Sequence, residues 1–302
     1  MKIGLIGLGK MGANMAKRLL EGGHKVVGFD RDPQAVKNIV DDGNEGAISI
    51  DELISKLPAP RIVWIMVPAG KPVDDTIDLL IPKLKSGDVL VDGGNSYYKD
   101  SVRRAKKLAD HGISMIDAGV SGGIWGLKEG YSMMVGGDAR AVDLLKPVFE
   151  ALAPGKATGW GHVGPSGSGH FVKMVHNGIE YGLMEAYAEG FELLKKKSEF
   201  DLDLYQIAEI WRFGSVVRSW LLDLTSDALK KDQDLKGIAP FVADSGEGRW
   251  TALEAIELGV SLPVITQSLY ERFSSQDTEE FGGRLLAMMR HEFGGHAVKE
   301  GK

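Results

Sequence analysis

Residues 2–16, KIGLIGLGKMGANMA, constrain the fold more than any other stretch. An apolar strand pattern runs directly into glycines at 7, 9 and 12, and then into a helical pattern. The G-x-G-x-x-G spacing asks for a strand–turn–helix unit. Gly7 permits the tight turn, Gly9 lets the backbone approach a pyrophosphate, and Gly12 allows close packing of the helix. The start of that helix offers free N–H groups to a phosphate, with Leu8, Lys10 and Met11 completing the cradle. A glycine turn without a ligand is the plainer reading, and the strand-before, helix-after context weighs against it.

The rest of the first half repeats the theme. KVVGFD, RIVWIMVP, DVLVDGG, SMIDAGVSGG and YSMMVGG read as strands, with helical patterns such as PQAVKNIVDDG among them. Such alternation implies a parallel sheet covered by helices. After about residue 165 the strand patterns give way to helical ones, beginning with HFVKMVHNGIEYGLMEAYAEGFELLKKK. The expected fold is therefore α/β. A Rossmann-type, dinucleotide-binding parallel-sheet domain spans 1–165. An all-α domain follows over 166–302. With no cysteine, thiolate metal sites and cysteine nucleophiles are excluded. The net charge of −6 argues against a general nucleic-acid surface. Neither a signal peptide nor an apolar run of membrane-spanning length is apparent, so a cytoplasmic protein is expected.

Asp30 ends the second strand pattern, where a carboxylate accepts the adenosine ribose hydroxyls of NAD and repels the extra phosphate of NADP. Arg31 leaves two readings open, pairing with that phosphate or stacking on the adenine. Because Asp32 makes the loop net acidic, NAD is the expected cofactor, with NADP weaker. DGGNSYYKD (92–100) and GVSGGIWGLKEG (119–130) both follow strand patterns, where ligands of parallel sheets bind. Asn95 there faces cofactor or substrate, and Ser121, Gly122 and Gly123 face substrate. Taken singly, each loop is also a plain turn.

FVKMVHNGIEYG, residues 171–182, carries Lys173, His176, Asn177, Glu180 and Tyr181 at i, i+3, i+4, i+7 and i+8, which is one helix face. Burying such a stripe without partners would be expensive. Taken together, the glycine cradle, VDGGNS, GVSGG, this helix and RHEFGGH (290–296) resemble the 6-phosphogluconate dehydrogenase family, within the β-hydroxyacid dehydrogenases. The resemblance runs from residue 4 to residue 296. It implies Lys173 as the base that takes the substrate hydroxyl proton, its basicity lowered by burial, and Glu180 as the acid that protonates the enediol after CO2 leaves. His176 and Asn177 would hold the substrate. Tyr181, Arg272 and Arg290 would contact its phosphate, for which guanidinium forks are suited. Val67, Pro68 and Ala69 would join the cofactor contacts.

The resemblance also implies a homodimer or higher homo-oligomer, in which Arg290 and His296 reach the partner's site. HEFGGH is not HExxH, and no metal site is expected. The chain departs from longer family members in lacking room for their larger helical domain. Its DSGEGRW loop (244–250) is also short of one lysine, and VPAG (67–70) replaces a lysine-bearing version. Two rival readings remain. Another β-hydroxyacid dehydrogenase, such as one acting on 3-hydroxyisobutyrate, would share the cradle and Lys173. A nucleotide-binding regulatory module would do no chemistry.

Overall fold

The computed structural model describes residues 1–299. Eight strands form one sheet: β1 (Lys2–Ile6), β2 (Lys25–Phe29), β3 (Glu45–Gly46), β4 (Ile62–Ile65), β5 (Val89–Asp92), β6 (Ser114–Ser121), β7 (Ser132–Gly137) and β8 (Trp160–Gly164). Their order is β3-β2-β1-β4-β5-β6-β7-β8. Period-2 alternation sends successive side chains to opposite faces. Ile62 and Trp64 of β4 join one apolar cluster, while Val63 and Ile65 join the other. Both faces are thus covered, as parallel sheets require. The order reverses between β1 and β4, so a crevice opens beyond their carboxyl ends.

The sheet departs from an all-parallel one at a single pairing. β6 and β7 run antiparallel. Only residues 122–131 join them, and a parallel crossover needs a dozen or more. β8, read from sequence as part of no strand, pairs parallel with β7. Its residues WGHVG carry little apolar signal and stay partly exposed.

A 29-residue helix, Ser168–Lys196, follows the sheet. The chain divides into two compact units within it, the first Met1–Gly178 and the second from Ile179 onward. In the second unit lie helices Leu204–Arg212, Trp220–Lys231, Glu247–Leu258, Pro263–Gln276 and Phe281–Gly294. Phe191, Leu204, Ala208, Leu222 and Leu229 form its core. No residue of the helix Phe281–Gly294 is buried. Among the described residues, no helix is long and apolar enough to cross a membrane.

Candidate active site

A cavity of about 650 Å³ occupies the crevice beyond β1 and β4. Gly7, Gly9 and Met11 line it from the turn after β1, Asp30 and Arg31 from the end of β2, and Val67 and Pro68 from the loop after β4. Asn95 and the glycines before it line the far side. Gly7 takes φ +95°, and a Cβ there would stand 2.4 Å from the Met66 carbonyl oxygen. The turn therefore admits glycine alone. Gly9 is different: a Cβ on it would meet no atom within 4 Å. Nothing in the chain demands a glycine at 9, which fits a pyrophosphate drawn close to the backbone. The helix that follows, Lys10–Glu21, has no side-chain cap, so its first N–H groups face the crevice.

Asp30 is held by two backbone N–H groups. Its Oδ2 accepts from Leu8 N at 2.6 Å and its Oδ1 from Asp32 N at 2.9 Å. It thereby ties the cradle turn to β2, and each oxygen keeps a lone pair for a ribose hydroxyl. The other cradle residues divide. Leu8 and Gly12 are buried in packing, whereas Lys10 is exposed. Lys10 and Ala69 do not line the cavity.

Behind the crevice lies a network that the sequence reading missed. Arg104, 1% exposed, donates to Asp74 Oδ1 (2.8 Å) and to the Gly70 carbonyl (2.9 Å), and its Nη1 lies 3.5 Å from Asp92 Oδ2. Asp92 also accepts from Ser96 Oγ and Gly94 N. One buried guanidinium thus braces both VPAG and DGGNS. An arginine paired at helical spacing with Asp100 was the available signal.

Lys173 is 6% exposed. Its Nζ donates to Asn177 Oδ1 at 2.6 Å and stands 3.4 Å from His176 Nδ1, which is 3.2 Å from the same amide oxygen. Helical spacing assembles this trio, because i, i+3 and i+4 share a face. The stripe continues with Glu180, half-buried, and Tyr181, buried. In the second unit, the Arg272 guanidinium lies 3.5 Å from the Tyr181 ring centre and donates to the Ala243 carbonyl. The Tyr181 hydroxyl is 3.3 Å from Ser245 Oγ, and Ser245 donates to the buried Glu247 carboxylate. The 244–250 loop therefore closes on Tyr181. Arg290 and His296 line a separate hollow of about 420 Å³ on the tail, and both are exposed. Ser121 and Gly122 end β6 and open its loop partly exposed, and Gly123 stands in open space.

Residues 2–163 match the family model for the NAD binding domain of 6-phosphogluconate dehydrogenase, and residues 169–297 match that for the 6-phosphogluconate dehydrogenase C-terminal domain. The chain is 48% identical to the NAD(+)-dependent, decarboxylating 6-phosphogluconate dehydrogenase of Haloferax volcanii, covering 99% of this chain and 98% of that one. It is 46% identical to YqeC of Bacillus subtilis, itself a provisional 6-phosphogluconate dehydrogenase, over 99% and 100%. Among solved structures, Plasmodium falciparum 6-phosphogluconate dehydrogenase matches with a TM-score of 0.84 and 30% identity. That match covers all of this chain and 67% of the longer one, which has been solved with NADP+ and with 6-phosphogluconate.

Proposed function

The chain belongs to the 6-phosphogluconate dehydrogenase family, and from that premise we propose that it converts 6-phosphogluconate to ribulose 5-phosphate and CO2 with reduction of NAD. The observation that carries the reading is the buried Lys173 held by Asn177 beside His176. Bound NAD supplies the hydride acceptor. Gly7, Gly9, Met11 and the uncapped helix start would hold its pyrophosphate, and Asp30 its ribose. Lys173 takes the proton from the substrate's 3-hydroxyl as the carbon is oxidised. The new ketone stabilises the electrons left behind by CO2. Glu180, two helical turns and roughly 10 Å along the axis from Lys173, protonates the enediol carbon. His176, Asn177, Asn95 and the Ser121–Gly123 loop orient the sugar acid. Tyr181 and Arg272 receive its phosphate.

Arg290 and His296 complete the site from a second subunit, giving a homodimer or higher oligomer. The exposure along the helix Phe281–Gly294, with Leu286 60% and Phe293 78% exposed, supports a covering chain. The reading is tested by comparing kcat/KM for 6-phosphogluconate and 3-hydroxyisobutyrate, each with NAD and NADP. Strong preference for the phosphorylated acid is expected. NAD should exceed NADP by on the order of tenfold, the worth of roughly 1.4 kcal/mol of charge repulsion at Asp30. Preference for 3-hydroxyisobutyrate would move the chain to the rival reaction.

A further inference from the structure

We propose that Asp117 is a positioning residue: it fixes the Lys173 helix onto strand β6 and so sets where the Lys173 amine stands. The proposal rests on the reading of Lys173 as the base. Asp117 is fully buried inside an apolar strand. Its Oδ1 accepts from Gly167 N at 2.7 Å and its Oδ2 from His170 N at 2.9 Å. These N–H groups belong to the entry and first turn of the 29-residue helix, where the donors lack helical partners and the dipole favours an anion. The carboxylate lies 50 residues away in sequence, so this cap joins the helix to the sheet and does more than close a local turn.

The strand carries the placement forward. Asp117, Gly119 and Ser121 alternate onto one face of β6. Two residues of strand advance roughly 6.6 Å, and the three helical residues from His170 to Lys173 advance roughly 4.5 Å. The cap at Asp117 therefore leads directly to Lys173 over Gly119. A Cβ on Gly119 would stand 2.3 Å from the Lys173 Cβ and 2.8 Å from the Gly169 carbonyl oxygen. On the neighbouring strand, a Cβ on Gly136 would stand 2.7 Å from Asp117 Oδ1, from Gly169 N and from Ser168 Oγ. Two glycines thus clear the seat and one carboxylate pins the helix into it. The next residue on that face, Ser121, opens the proposed substrate loop. Nothing about Asp117 requires it to touch substrate. It acts through the helix.

Two variants test this, Asp117→Asn and Gly119→Ala. Asparagine keeps the shape, but its amide group can accept only one of the two N–H bonds and presents a donor to the other. Alanine keeps the Asp117 carboxylate and pushes on the Lys173 stem and the Gly169 carbonyl. The measurement is the single-turnover rate constant for NADH formation, with enzyme in saturating excess over 6-phosphogluconate and with saturating NAD. A folding defect lowers the amount of competent enzyme and leaves this constant unchanged, whereas a displaced base lowers it. Both variants should lose on the order of ten- to a hundredfold in the constant, since ångström misplacement costs that much. The Kd for NAD should stay within about twofold of wild type. A folded Asp117→Asn protein with the wild-type constant would overturn the positioning role. Wild-type protein that forms no NADH would instead overturn the assigned reaction, so the two failures are distinguishable.

Discussion

At the scale of single residues, Lys173 is the group on which the proposed reaction depends. It is buried, and its amine reaches an amide oxygen and an imidazole on its own helix face. Lys173→Met keeps the bulk of the stem and removes the amine. The expected outcome is loss of NADH formation to background, on the order of a thousandfold or more for a group acting in the transition state. NAD affinity, measured by fluorescence titration, should be unchanged. Turnover within tenfold of wild type would remove Lys173 as the base. The lysine was legible in the sequence because five polar side chains at helical spacing are hard to bury by chance. Asp117 was equally visible, as one carboxylate in the apolar run MIDAGV, but its partners lie 50 and 53 residues away. A sequence pattern carries no sign of such a contact.

Elements join these residues into a site. The strand–glycine–helix cradle could be read directly, since Gly7 and Gly12 answer local geometric demands and Gly9 completes the spacing. The turn of β7 against β6 was legible only in the short 122–131 connection, because apolar alternation reports burial and says nothing of direction. β8 was missed because WGHVG gives up the apolar run by which buried strands are recognised. Between the elements, Arg104 braces the loops beyond β4 and β5, and Asp74 is its most tightly held partner. Arg104, followed by Arg103, holds the Asp74 carboxyl down at about 2 from an ordinary value of 3.8. A carboxylate whose pKa is depressed by folding contributes stability above its unfolded pKa and loses it as pH falls through the folded one. Wild-type protein should therefore lose thermal stability on acidification from about 3.8 to about 2. Asp74→Asn should begin with a lower Tm at neutral pH and lose less across the same window. Equal slopes for the two proteins, measured by scanning calorimetry, would show that the Arg104 pairing does not contribute.

For the whole molecule, the sequence indicated a sheet region followed by helices, and the family resemblance implied a tail serving another chain. No described residue of the tail helix Phe281–Gly294 is buried. Removing residues 289–302 should raise KM for 6-phosphogluconate by at least tenfold, because an arginine–phosphate pair is a strong charge-assisted contact. NAD affinity should change little. Mixing Arg290→Ala with Lys173→Met protein should restore part of the activity, since some hybrid sites then combine an intact lysine with an intact arginine. No recovery after verified subunit exchange would place the tail's action within its own chain. The stoichiometry of products decides whether this reaction occurs. Purified protein given 6-phosphogluconate and NAD should release CO2 and NADH in equal amounts, with ribulose 5-phosphate as the sugar product. NADH without CO2, or no NADH at all, would contradict it.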